Sequence, residues 1–391
     1  MEIRRDRSWL TAADCDIEAF ARQQARTTDP ADYPFAFEIS GNVPVYDGDA
    51  IRSAASVPGQ RRMLLAEWSD AMMQGPGIVV LRRAMTDMAV IDAATAHFDA
   101  IIDQQRASGQ AAADHFAKAG ANDRIWNALE KLCLRDPELF AAYYGSATIA
   151  LISEAWLGPG YQVTSQVNCV NPGGAAQSAH RDYHLGFMSP EAMERYPAHV
   201  HRLSPMLTLQ GAIAHCDMPV ESGPTLYLPY SQDYEPGYLA TGRPDFRAYF
   251  EGHHVQLALS KGDAVFFNPA LFHAAGHNRS RDIRRMANLL QVSSAYGRAM
   301  ESIDRTRMSR VLYPALRSMR ASGRITAAAA ADAVAAAAEA YPFPTNLDRD
   351  PPVGGLAPEG QQALMNRALA EDWEEDRFVE ALDRQAWGKL T

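Results

Sequence analysis

The sequence predicts a mainly β core of jelly-roll type over residues 155–300, set between helical segments before and after it. Three observations carry this expectation. From Tyr161 the chain breaks into short β-rich runs, YQVTSQVNCV, PMLTLQGAIAHCD, PTLYLPY, HHVQLALS, DAVFFN and ANLLQVSSAYG. Turns such as NPGG, ESGP and SKGD separate them, the punctuation of antiparallel sandwiches and jelly rolls. No glycine-rich phosphate loop joins a strand to a helix, which argues against a dinucleotide fold.

Taken in order, Thr11 is an N-cap with Asp14 three residues on, ahead of the helical IEAFARQQA. Asp29 to Gly59 reads as a long connection rich in Gly and Pro. RRMLLAEWSDAMMQ has the apolar spacing of an amphipathic helix, and GPGIVVLRRAM supplies a short strand. MAVIDAATAHFDAIIDQQ, ALEKLCLRDPELFAAYYGS and ATIALISEAWLG are three further helices. Beyond Met300, the alanine-rich ITAAAAADAVAAAAEAY stands before the breaker PFP and favours a real helix. DRDPPVGGLAPEG then reads as a loop and QQALMNRALAEDWEEDRFVEALDRQAWG as one last helix.

Composition narrows the partners. Of 391 residues, 47% are hydrophobic and 21% charged, as in ordinary globular proteins. Lys+Arg 37 against Asp+Glu 47 gives a net charge of -10, the wrong sign for a surface that must neutralise phosphates, so neither nucleic acid nor an anionic membrane is an expected partner. The four cysteines, Cys15, Cys133, Cys169 and Cys216, show no paired spacing. A reducing, cytoplasmic setting is therefore expected. The first twenty residues lack an apolar signal region, and no stretch is long enough to span a bilayer.

The chemistry concentrates in AHRDYHLGF, where His180 and Asp182 stand two apart. On a strand, residues i and i+2 share a face, so an imidazole and a carboxylate could meet one ion. A His-x-Asp pair should arise by chance roughly once in a chain of this composition, and it occurs three times. His97 and Asp99 fall in a predicted helix, where i and i+2 diverge by roughly 200°. His215 and Asp217 are harder to dismiss, because they end a β run. The company of His273, followed by Arg279, Arg281, Arg284 and Arg285, favours His180 and Asp182. Two histidines and one carboxylate suit a non-haem Fe(II) oxygenase, and the same donors also suit zinc.

Gln177 to Arg285 resembles the phytanoyl-CoA dioxygenase family of Fe(II)/2-oxoglutarate-dependent oxygenases. The resemblance rests on four blocks in order: HRDYHLGF, ESGPTLYLPYS, GDAVFF and HAAGHNRSRDIR. It implies a double-stranded β-helix (jelly roll, cupin-like) over 155–300, a mainly helical region over 1–154 and a helical extension over 301–391, forming a single catalytic unit, 1–391. It implies Fe(II), 2-oxoglutarate and O2 as cofactor and cosubstrates, with His180, Asp182 and His273 as metal ligands and catalytic centre. Arg284, eleven residues after His273, matches the arginine that grips the distal cosubstrate carboxylate, and Arg285 is its rival. A planar guanidinium suits that task independently of the family. Ala275 stands where many relatives carry a serine, so Thr225 or Thr208 is expected to supply the hydroxyl. His277 is expected to be a structural or solvent-facing histidine rather than a ligand.

Gln166, Asn168 and Gln177 flank the site as candidate amides, the first two toward the cosubstrate and Gln177 toward the substrate. Tyr183 and His184 are candidate substrate contacts. The reaction these readings imply is hydroxylation of a small organic substrate with release of succinate and CO2, and the carboxylate kept at Asp182 implies oxygen transfer rather than halogenation. The alternatives are a zinc-dependent cupin-like hydrolase or lyase, which would have no need of an inward arginine, and a non-enzymatic metabolite-binding pseudoenzyme. A homo-oligomer formed through the helical ends is also compatible with the sequence.

Overall fold

The computed structural model describes residues 8–108, 120–351, 354 and 356–391, so part of the loop expected between Asp348 and Gly360 lies outside the described residues. Eleven strands run in chain order: β1 (Glu38–Ser40), β2 (Val43–Asp47), β3 (Ile78–Arg82), β4 (Asn122–Ile125), β5 (Gln162–Val170), β6 (Thr208–Ala214), β7 (Leu226–Leu228), β8 (Val255–Gln256), β9 (Ala264–Phe267), β10 (Phe272–Ala274) and β11 (Arg285–Ser293). Eight of them form one sheet in the order β1-β2-β3-β9-β6-β11-β5-β4, and three form another in the order β10-β7-β8.

The expected β core is corrected on two counts. Helix makes up 46% of the described residues and strand 16%, so the fold is mainly helical. Among the described residues the two sheets are also open, the large one ending at the free edges of β1 and β4 and the small one at β8 and at β10, whose outer edge carries only an isolated bridge, and they do not close into a double-stranded β-helix, jelly roll or cupin-like barrel. The runs read as strands pair, but most are only two to five residues long, and helices fill the stretches between them, such as Pro244–His253. The supposed connection over 29–59 holds the β1–β2 hairpin and the helix Gly48–Ala55. Four strands of the large sheet therefore come from the region expected to be a helical flank.

Helix boundaries follow local chemistry. The Asp136–Pro137 step divides the helix expected after Ala128 into Ala128–Arg135 and Pro137–Tyr144, because proline disfavours helical backbone at the residue before it. The alanine-rich helix forms over Ala327–Ala337, with the Thr326 side chain accepting from the Ala329 N–H. The last expected helix is two, Gln361–Ala370 and Glu375–Gly388, parted near Asp372 at φ 50°.

Strand β5 is buried along its whole length and β11 is buried on its helix face and partly buried on the other, and alternation sorts their side chains. Val163, Val167, Cys169, Met286, Leu290 and Val292 join the main core under the helices. Gln166, Asn168, Arg285, Ala287, Leu289 and Gln291 face the opposite way, into a cavity of about 910 Å³. The small sheet lies across that cavity: β7 and β10 pair with Tyr227 opposite His273, and both side chains line it.

Candidate metal centre

The stretch holding His180 and Asp182 is extended but not a strand. It runs beside β10 through one isolated bridge, in which His180 and His273 exchange backbone hydrogen bonds of 3.0 and 3.1 Å. The Asp182 N–H donates to the Pro269 carbonyl at 2.9 Å and the Gln177 N–H to Ala275 at 3.0 Å, which holds the register on either side. His180 and Asp182 project together, while Arg181 between them points the other way. Its guanidinium is buried against Phe272 and Tyr238, donates to the Ser231 carbonyl, and lies where a Cβ on Gly237 would come within 1.9 Å of its Cζ. Burial lowers its pKa to about 10, so it stays cationic at neutral pH.

One donor atom from each of His180, Asp182 and His273 lies within 4.8 Å of the others. His180 Nε2 is 3.9 Å from Asp182 Oδ1, and His273 Nε2 is 3.7 Å from Oδ2. These gaps are too long for direct hydrogen bonds and short enough for one shared ion. Each imidazole Nδ1 is 2.9 Å from a backbone carbonyl, Ser178 for His180 and Leu271 for His273. A carbonyl only accepts, so Nδ1 carries the proton and Nε2 presents its lone pair to the centre. Burial and the neighbouring His180 lower the His273 pKa to about 4, keeping that ring neutral, as a ligand must be. Gln210 on β6 donates its amide to Asp182 Oδ2. The donor set thus fits a divalent transition metal.

The rival pairs do not converge. His215 Nδ1 is 2.8 Å from Thr95 Oγ1 and its Nε2 2.8 Å from the Tyr143 hydroxyl, so both ring nitrogens are engaged. Burial lowers its pKa to about 3. Asp217 accepts from the Lys261 N–H at 2.9 Å. His97 and Asp99 lie on the helix Met88–Ala107 and face Asp136 and Arg284 respectively.

Arg284 does not face the cavity, a correction to the sequence expectation. Its guanidinium reaches outward to Asp99 at 3.1 Å, with 45% of the side chain exposed. Strand β11 begins one residue later, so alternation turns Arg285 inward. Arg285 is 7% exposed and its Nη1 is buried with no hydrogen-bond partner among the described residues. Burial lowers its pKa to about 10, leaving it charged at neutral pH.

Gln166, Asn168, Gln177, Tyr183 and Thr225 all line the cavity. Gln166 accepts from Arg124 at 2.9 Å, whereas the Asn168 amide oxygen has no partner among the described residues. Gln177 Oε1 accepts from the Ala275 N–H at 3.4 Å. His184, expected to touch substrate, is not among the lining residues. It leaves the extended path, and its Nδ1 lies 2.9 Å from Thr208 Oγ1, which also removes Thr208 as a cosubstrate hydroxyl. Ala275 lines the cavity and His277 is exposed. Gln210, Tyr227, Arg124 and Trp126 were not found from the sequence. A lone glutamine in the apolar run LTLQGAIA marks Gln210, but no motif marks the other three.

Among known proteins, the family described as Phytanoyl-CoA dioxygenase (PhyH) matches residues 73–286, more than half of the chain. A protein described as Dioxygenase trt7 from Aspergillus terreus is 29% identical over 152 residues, 38% of this chain and 42% of its own length. The chain thus spans less than half of that relative. Two solved structures from nogalamycin biosynthesis are similar: the carbocyclase SnoK (TM-score 0.44, 21% identity, 62% of this chain and 89% of that one) and the epimerase SnoN (TM-score 0.40, 19% identity, 61% and 85%). Among the described residues, no helix is long and apolar enough to cross a membrane.

Proposed function

The chain belongs to the phytanoyl-CoA dioxygenase family, and from that premise we propose that it couples oxidative decarboxylation of 2-oxoglutarate to hydroxylation of a small organic substrate, with Fe(II) held by His180, Asp182 and His273. The observation that carries this reading is a pair of imidazoles with Nε2 directed at one carboxylate, at the wall of a cavity that also contains a buried, partly unpartnered arginine. A zinc hydrolase would need the first feature and not the second.

Bound Fe(II) with 2-oxoglutarate and O2 supplies the oxidising chemistry. The protein's own residues prepare the site. The carbonyls of Ser178 and Leu271 fix both ligand tautomers, and Gln210 orients the Asp182 carboxylate. Arg285 receives the distal carboxylate of the cosubstrate. Tyr227, which lines the cavity with Thr225, stands on the facing sheet to supply the hydroxyl missing at Ala275. Asn168 adds an amide beside them. Apolar walls from Val265, Phe267, Leu259 and Ala212 exclude water from the deeper cavity. Gln177 and Tyr183 are the remaining candidates for substrate contact. Strands from residues 38–125 share a sheet with those from 162–293, which supports one catalytic unit.

Anaerobic addition of Fe(II) and then 2-oxoglutarate should produce the charge-transfer absorption of the chelate, and admission of O2 should release succinate. Tight zinc binding without either signal would favour the hydrolase, and cosubstrate binding without turnover the pseudoenzyme.

A further inference from the structure

Two amides stand side by side next to the triad with their oxygens unused. Gln210 on β6 and Gln291 on β11 are directly opposed in the sheet register, so both side chains leave the same face and their Cβ atoms are ~5 Å apart. Both line the cavity. Gln210 is 5% exposed, and its Nε2 is committed to Asp182 Oδ2. An ionised carboxylate only accepts, so this bond fixes which way the amide points. It leaves Oε1 as a buried acceptor with no partner among the described residues. Gln291 Oε1 is buried and unmatched in the same way. Thr164, the neighbour of Gln291 on β5, spends its hydroxyl on the Gln291 backbone carbonyl at 2.9 Å and leaves the side chain alone.

The row that holds these amides passes the triad. On its other side Gln210 is opposed to Phe267 of β9, whose ring centroid is 4.8 Å from that of His273. One row further along the sheet, β11, β6 and β9 present only the apolar Leu289, Ala212 and Val265. Arg285 begins the strand on which Gln291 lies near the end, and six residues of strand separate their Cα atoms by ~20 Å. The cosubstrate anion is drawn toward the Arg285 end of the cavity, which leaves the Gln291 end, beside the triad, to the substrate.

Resting on the iron and 2-oxoglutarate reading, we infer that Gln210 and Gln291 form a substrate subsite for a hydrogen-bond donor, and that the substrate carries a hydroxyl or N–H group close to the carbon that is oxidised. A pure hydrocarbon would bury both amide oxygens unpaired. A site that commits buried acceptors to a hydroxyl discriminates strongly against the analogue lacking it, because those acceptors are then left without water or ligand. Gln210 holds Asp182 with one end of its amide and the substrate with the other, so one side chain sets the substrate against the metal.

The probes are 2-naphthol, 2-methoxynaphthalene and 2-methylnaphthalene, which share their rings and offer respectively a donor, an acceptor only, and neither. The protein is loaded with Mn(II) and 2-oxoglutarate, and paramagnetic broadening of the probe proton signals reports binding beside the metal. The wild type is expected to bind 2-naphthol about tenfold more tightly than either other probe. Gln291→Leu should cut that preference by about threefold or more, while 2-methylnaphthalene binds no more weakly than to the wild type. The Fe(II)–oxoglutarate absorption of Gln291→Leu should form at the wild-type concentration of 2-oxoglutarate, a separation that a merely structural role would not give. The subsite is overturned by 2-naphthol that Mn(II) does not broaden, by equal affinities for 2-naphthol and 2-methylnaphthalene, by tighter binding of 2-methoxynaphthalene, or by a preference unchanged in Gln291→Leu. Should Gln291→Leu lose all three probes together, the closer isostere Gln291→Met decides: a reduced preference supports the subsite and an unchanged one rejects it. The underlying reading fails separately, by absence of the Fe(II)–oxoglutarate absorption whatever the probes show.

Discussion

The two faces of the large sheet both bury polar side chains, with opposite outcomes. On the helix side, His215, Tyr143, Asn288, Tyr144 and Ser165 form a continuous chain of hydrogen bonds of 2.8–3.2 Å that extends through Thr95 to the Ile91 carbonyl. On the cavity side, Asn168, Gln210 and Arg285 each keep a buried polar atom without a partner among the described residues. An unmatched buried polar atom costs roughly 1–3 kcal/mol, and the helix-side chain leaves one, the Asn288 amide oxygen, where the cavity face leaves at least three. His-x-Asp pairs occur on both sides of this divide. His215 is closed at both ring nitrogens, whereas His180 and His273 are closed at one and open at the other.

The sharpest test of that contrast is metal content. His180→Ala, Asp182→Ala or His273→Ala should each reduce bound Fe(II) from one per chain to none, measured by elemental analysis after desalting. His215→Ala should keep the metal and instead lower stability by about 3 kcal/mol in urea titrations, through a lost ring and unpaired Tyr143 and Thr95. Metal lost from His215→Ala with normal stability would erase the distinction.

The adjacent arginines provide the next largest effect. Arg285→Met should weaken 2-oxoglutarate binding by about 2–5 kcal/mol, the range for truncating one partner of a buried charge pair. Arg284→Met removes only a half-exposed pair with Asp99, and should change stability by at most about 1 kcal/mol. Anaerobic titration of the charge-transfer band with both variants reads the difference, and equal losses would refute the inward assignment of Arg285.

Acid sharpens the comparison from the other side. His215 has a pKa of about 3 in the fold against an ordinary 6.5, because burial disfavours the imidazolium. The unfolded chain takes up this proton first, so the contribution of His215 is fully present above pH 6.5 and is lost as the pH falls toward 3. Wild-type stability should therefore fall more steeply over that window than that of His215→Gln, and parallel curves would show that the ring is not held neutral. The smallest effect is expected for Tyr227→Phe, a loss of about 1 kcal/mol in 2-oxoglutarate affinity, largely restored by adding Ala275→Ser. Failure of that rescue would remove Tyr227 from the cosubstrate pocket.

The triad was legible because its ligands fall in ordered blocks whose neighbours, ESGP and GDAVFF, are themselves recognisable. The choice between Arg284 and Arg285 was not, because it depends on the residue at which β11 starts pairing, and a count of residues from His273 does not contain that. His184 lies away from the cavity for a related reason: alternation would set it on the face of His180 and Asp182, but past Asp182 the chain turns away from β10. The sheet suffered most. The strands β1, β2 and β4 are short and weakly patterned, and β2 and β4 join the sheet through β3 and β5, some 35 to 45 residues on, so tertiary pairing decides them where local propensity does not.

Strand order also constrains how the molecule can be made. β3 and β4 leave the ribosome early, yet four later strands, β9, β6, β11 and β5, separate them in the finished sheet. β4 cannot pair until β5 is synthesised, and β3, paired on one side with β2, waits for β9, nearly two hundred residues on, to cover its other edge. Until then the nascent chain carries open strand edges, that of the apolar β3 among them, the condition that favours misassembly. Pairing of such high sequence separation is slow to form. A fragment ending at residue 154 would retain β1, β2 and β3 with their helices but leave β4 without a partner and β3 open on one edge, so expression of the isolated N-terminal half should yield insoluble protein.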